Sequence, residues 1–139
     1  MVRPDVAGRK VARAARWLDD AESILSRGRE ELARDAASRD LAAFYLFLAI
    51  QECIDLAAHW VADDGLAPPD DAASTFDVLA ERGFIEPKVA DALRAAAGLR
   101  NRIAHGYGDV DQERVHAEAK EGLESLRAFL LAVAMAAGL

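Results

Sequence analysis

Apolar residues recur along this chain with helical spacing, and nowhere do they alternate with period two for long enough to make a strand. Val11, Leu18, Leu25 and Leu32 stand seven apart, with Ala14 and Ala21 between them. That stripe predicts a first long helix over residues 6–33, with small residues suited to close packing. The stretch 35–40 interrupts the pattern and offers Ser38 or Asp40 as the cap of a second helix over 40–62. This helix begins apolar on every face, through Leu41, Phe44, Tyr45, Leu46, Phe47, Leu48 and Ile50. Such a helix is either the central element of a bundle or part of a subunit interface.

The acidic, proline-broken segment 63–73 predicts a loop. A short helix follows, with Ser74 and Asp77 as a loose capping box and Gly83 as its stop. Pro87 suits a first helical turn and opens a helix over 87–105, whose core stripe is Val89, Leu93, Ala96, Leu99 and Ile103. Gly106 and Gly108 end it, and Asp109 or Asp111 caps a last helix carrying Val115, Leu123, Leu126, Leu130 and Val133. The predicted fold is all-α, a single domain over residues 1–139 with four long helices plus one short one.

Composition agrees. The 139 residues are 53% hydrophobic and 29% charged, as in a globular protein with a core of its own. Alanine, about a fifth of the chain, favours helix over sheet because it loses no side-chain entropy there. A net charge of −7 excludes coating nucleic acid through bulk charge but leaves room for a local basic site. The lone cysteine, Cys53, lies in an apolar context and reads as a buried inert thiol, which fits a reducing compartment. The first ten residues lack the apolar stretch of a signal peptide. The longest apolar runs, 41–50 and 128–137, fall short of the ~20 residues a bilayer crossing needs. The expectation is a cytoplasmic protein with no membrane partner.

Chemistry concentrates in Arg100-Asn101-Arg102-Ile103-Ala104-His105-Gly106-Tyr107. On a helical wheel Asn101 and His105 stand about 100° and 140° round from Arg100 and face the same way. Arg100 falls beside the apolar stripe, where its charge must find a partner or stay wet. From residue 92 to residue 108 there is no acidic residue, while Arg94, Arg100 and Arg102 all lie there. A phosphate-bearing ligand explains this window, since arginine offers a planar fork to phosphate oxygens and histidine shuttles protons near neutral pH. Those two residue types suffice for RNA cleavage without metal, the neighbouring 2′-hydroxyl attacking the phosphodiester. Spacing alone also allows a plain structural reading, with Arg100 paired to a carboxylate elsewhere and His105 capping the helix end.

The string Arg-Asn-x3-His-x-Tyr, from Arg100 to Tyr107, resembles the Arg-x4-6-His signature of the HEPN superfamily and, more narrowly, the Arg-x4-His-x-Tyr motif of HepT-like toxins. Residues 51–59 resemble that family's central helix, and 76–83 its short helix before the motif helix; the likeness runs from about residue 9 to residue 130. The resemblance implies a HEPN-type bundle that dimerises, two motif helices forming one composite cleft. It implies a metal-independent endoribonuclease toxin, inactivated by a minimal nucleotidyltransferase antitoxin, MntA, that transfers AMP to the motif tyrosine. Carried across, Arg100 would bind the scissile phosphate, His105 would act as general acid or base, Asn101 would orient the site and Tyr107 would accept AMP. Arg102 and Arg94 would bind further substrate phosphates. No cofactor is implied for this chain, because ATP would be consumed by the partner. The overall acidity fits RNA binding least comfortably.

Glu52, Asp55 and His59 share one helix face, three and four residues apart. They lack the second Glu-x-x-His set of a di-metal bundle, so no metal site is expected. A polar seam toward the cleft or a sister subunit is the simpler reading, with Asp55 a candidate partner for Arg100 or Arg102. His116 reads as a solvated helix residue, and Trp17 and Trp60 as core or interface anchors. Two other readings compete with the nuclease: a non-catalytic nucleotide-binding subunit of a nucleotidyltransferase, and a helical interaction module in which the motif is structural.

Overall fold

The computed structural model describes residues 3–105 and 112–139, which form six helices and no strand among the described residues. They are α1 (Pro4–Leu25), α2 (Arg29–Ala33), α3 (Ala36–Asp63), α4 (Ala72–Glu81), α5 (Pro87–His105) and α6 (Gln112–Ala136). Four are long and α4 is short, as predicted; α2 is an extra five-residue helix.

That extra helix corrects the expected continuous helix over 6–33. The heptad stripe does continue, since Leu25 and Leu32 are both buried, but α1 stops at Leu25 and Gly28, with extended backbone, starts α2 afresh. Arg27 holds the corner. Its guanidinium donates to Ser38 Oγ at 2.8 Å and pairs with Glu31 at 2.9 Å and Asp35 at 3.1 Å, tying the end of α1 to the start of α3.

The caps sit one turn earlier than the sequence suggests. Asp35 Oδ1 accepts the Ser38 amide at 3.0 Å, so α3 begins at Ala36. Asp71 Oδ1 likewise accepts the Ser74 amide at 2.8 Å and starts α4. Each serine is the donor at the third helical position, where the sequence had suggested a cap. Ends follow glycine: at Gly65 and Gly83 φ is +70° and +76°, a conformation open to a residue without Cβ.

α3 is the central element and packs against each of the other five helices. Leu46, Ala49, Ile50, Cys53, Leu56, Ala57 and Trp60 form one broad buried face of α3, while Ala58 and His59 on the other side are exposed, so the helix expected to be apolar on every face is covered on one. An 18-residue stretch of α3 has mean hydropathy 1.6, apolar and long enough to cross a membrane by length and composition, which the count of unbroken apolar runs had missed. Of that stretch 56% is buried inside the bundle. α1 lies along α3 and α6, and α4 along α5 and α3. Trp60 stacks on Phe84 with ring centroids 5.2 Å apart, and Phe76 meets Phe129 edge-on at 5.5 Å. Trp60 is thus a core anchor, while Trp17 is only partly buried against the core. Leu41 and Phe44, on the first turns of α3, stay 43% and 52% exposed.

Candidate functional site

The rotation of α5 decides what its motif residues meet. Val89, Leu93, Ala96, Leu99 and Ile103 are all buried, so the predicted stripe faces the core. Arg100 lies at the edge of that stripe and is half-buried, as its position on the wheel requires. Its NH1 donates to Gln51 Oε1 on α3 at 2.7 Å. Its Nε is buried and has no hydrogen-bond partner among the described residues.

Gln51 is the residue that the sequence reading missed. In the sequence it belongs only to a family-like helix, whereas the structure makes it a direct partner of Arg100. The signal available was its position four residues before Asp55, on one helix face. Gln51 Nε2 donates to Asp55 Oδ1 at 3.3 Å, and Lys10 Nζ lies 3.6 Å from Asp55 Oδ2. Asp55 therefore reaches Arg100 only through Gln51 and does not pair with Arg102.

Arg102, two residues on, turns toward α6 and binds the Glu118 carboxylate, to which Arg114 Nε also donates at 2.9 Å. Arg94 is exposed, 3.5 Å from Asp77 on α4 and 2.9 Å from Asp91 on its own helix. Six residues separate Arg94 from Arg100, a rise of about 9 Å along the helix. Asn101 and His105 are exposed on the last turns of α5. Tyr107, together with Asp109 and Asp111, lies outside the described residues.

The acidic face of α3 is taken up by α1. Glu52, 9% exposed, accepts Lys10 Nζ on one oxygen at 3.1 Å and Arg13 NH2 on the other at 3.0 Å. His59 is exposed. Among the described residues no three His, Cys, Asp or Glu side chains gather closely enough to hold a metal ion. Cys53 is fully buried, and burial, reinforced by the charge of Glu52, pushes its thiol far above the ordinary value, so it is an inert core group. His116 is half-buried rather than solvated, and burial, followed by the charges of Lys120 and Arg29, holds it below the ordinary histidine value.

A cavity of about 290 Å³ opens between α3, α5 and α6 over Leu46, Ile50, Leu99 and Leu126. Its charged lining residues, Glu118 and Glu121, make it unsuited to an anion. On the motif helix, Arg100 donates to an uncharged side chain, and His105 is exposed further round the same helix end.

The mRNA nuclease HepT of Shewanella oneidensis is 25% identical over 126 residues, covering 91% of this chain and 94% of the relative. Two solved structures share the fold. One is a toxin–antitoxin crystal structure with AMP-PNP, at TM-score 0.87 and 23% identity, covering 94% of this chain and 98% of that one. The other is the tri-AMPylated Shewanella oneidensis HEPN toxin in complex with MNT antitoxin, at TM-score 0.87 and 24% identity with the same coverage. The family model described as ribonuclease HepT-like matches residues 15–133, from the middle of α1 nearly to the end of α6. The chain belongs to the ribonuclease HepT-like family.

Proposed function

We propose that this chain is the toxin of a HepT/MntA-type toxin–antitoxin pair, an endoribonuclease that works without metal through Arg100, Asn101 and His105. The observation that supports this reading best is the setting of Arg100, half-buried at the end of a core helix and held by neutral Gln51. Its charge is left for a scissile phosphate, where it stabilises the developing negative charge. His105, exposed on the last turn, moves the proton: one imidazole takes it from the attacking 2′-hydroxyl or gives it to the leaving 5′-oxygen. Asn101 lies on the same side of the helix as His105 and orients the phosphate. Arg102 and Arg94 receive flanking phosphates by exchanging them for their present carboxylate partners.

Arg100 and His105 stand about 140° apart round one helix, so a single copy presents them in different directions. A homodimer that brings two motif helices together supplies both to one RNA strand. Leu41 and Phe44, exposed and apolar, give such a dimer a surface to cover. An MntA-like nucleotidyltransferase inactivates the toxin by moving AMP from ATP to Tyr107, which adds phosphate charge and bulk where RNA must enter.

The test is cleavage of RNA in the presence of a chelator. Wild-type protein should leave 2′,3′-cyclic phosphate ends, and Arg100→Ala and His105→Ala should each lose about a hundredfold or more in rate while staying folded. Full activity in His105→Ala removes the proton-transfer role. Intact-mass and peptide mapping after co-expression with an MntA-like nucleotidyltransferase should place AMP on Tyr107. An unmodified Tyr107 beside an active transferase favours the non-catalytic nucleotide-binding subunit instead.

A further inference from the structure

We propose that Gln51, oriented by Asp55, is a positioning residue that tethers Arg100 through a neutral acceptor, so that the guanidinium is placed without being neutralised. The inference rests on the nuclease reading for its consequence and on geometry alone for its existence. Gln51 stands between a group that only donates and a group that only accepts. Its Oε1 meets Arg100 NH1 at 2.7 Å, and its Nε2 meets Asp55 Oδ1 at 3.3 Å. The reverse orientation of the amide would set N–H against N–H and oxygen against oxygen. Asp55 therefore dictates which end of Gln51 faces Arg100.

The surrounding charges explain why a neutral residue is needed there. Two carboxylates, Glu52 and Asp55, lie within one turn of Gln51 on α3. Both are bound by α1, Glu52 by Lys10 and Arg13 and Asp55 by Lys10. With those cations in place neither carboxylate turns to Arg100. A glutamate at 51 would reach as far as the glutamine does but would form an ion pair, which a phosphate would have to break before binding. The amide holds the side chain by a weaker bond that carries no net charge. Among the described residues the buried Arg100 Nε has no hydrogen-bond partner, so they leave the guanidinium incompletely satisfied.

The experiment uses the full chain and two readouts, the ¹⁵N resonance of Arg100 Nε–H and the kinetics of RNA cleavage. Gln51→Met removes both hydrogen bonds at nearly constant length; it should shift the resonance, speed its solvent exchange and lower kcat about tenfold with little change in KM. Gln51→Glu should keep the resonance protected yet weaken binding of a non-cleavable oligonucleotide about tenfold and raise KM. Asp55→Asn, which permits either amide orientation, should fall between wild type and Gln51→Met. An Arg100 resonance identical in folded wild type and Gln51→Met overturns the tether, whether or not the protein cleaves RNA. Oligonucleotide binding in Gln51→Glu as tight as in wild type overturns the requirement for neutrality. Loss of the nuclease reading itself would show instead as no cleavage by the wild type, with the resonance test still decisive for the tether.

Discussion

Arg102 and Glu118 join the last turns of α5 to the second turn of α6, and the same carboxylate also accepts from Arg114. Two residues earlier Arg100, among the described residues, donates to the Gln51 amide. Among the described residues, neighbouring arginines on one helix thus differ in partner, one facing a carboxylate and the other an amide. If Arg102 serves as a flanking phosphate site, Glu118 is its competitor. Glu118→Gln should tighten RNA binding several-fold and steepen its salt dependence, by about 0.7 in the log–log slope per added phosphate contact. Binding measured across a salt series checks this, and an unchanged slope would take Arg102 out of the RNA site.

The Lys10–Glu52–Arg13 cluster joins α1 to α3 through a carboxylate that is 9% exposed. Removing one cation strands part of a buried charge, which costs more than the intact pair contributes. Lys10→Met should destabilise the protein by about 2 kcal/mol, less than a fully stranded charge because Arg13 remains. Adding Glu52→Met should recover most of that loss. Urea unfolding of the single and double variants decides the matter, and additive losses would contradict it.

Acid should act on two groups in separate windows. Hydrogen bonds from the Ser38 hydroxyl and amide, then from Arg27, hold the Asp35 carboxyl below the ordinary aspartate value. The unfolded chain therefore binds that proton first, so the stability from this cap is complete above about pH 4 and is lost as pH falls through the depressed folded value. His116 also has a lowered value, and its unfolded form takes up a proton first, as pH falls below about 6.5. Stability should decline in both windows. Asp35→Asn keeps an acceptor for the cap and should flatten the lower decline, while His116→Asn should flatten the upper one. Thermal melts from pH 7 to pH 3 measure both.

Phe44 exposes about half of its surface on a helix that is otherwise mostly covered. In the proposed homodimer it is buried, so Phe44→Glu should yield a monomer with helical content intact and RNA cleavage lost. Sedimentation and circular dichroism of the variant test this. A dimer that survives the change would move the subunit contact elsewhere.

The sequence by itself determined the class of fold, the order of the long helices and the place of the motif. α5 runs over the predicted residues because a proline at its first position and an apolar stripe every three to four residues act within one helix. α3 lies at the centre because its apolar residues cover a broad arc that several helices together must bury. What only the tertiary structure decided depends on competition between helices. A heptad stripe from Val11 to Leu32 is the same whether the helix continues or turns at Gly28; the turn is held by Arg27 reaching Asp35 and Ser38 on another element. Likewise, the sequence placed Arg100 at the edge of the core and Asp55 within plausible reach. The choice of Gln51 rather than Asp55 followed from the packing of α1, whose Lys10 and Arg13 occupy the carboxylates of α3 before Arg100 can. Periodicity is a property of one segment, whereas the partner of a charge is settled by every other charge within reach.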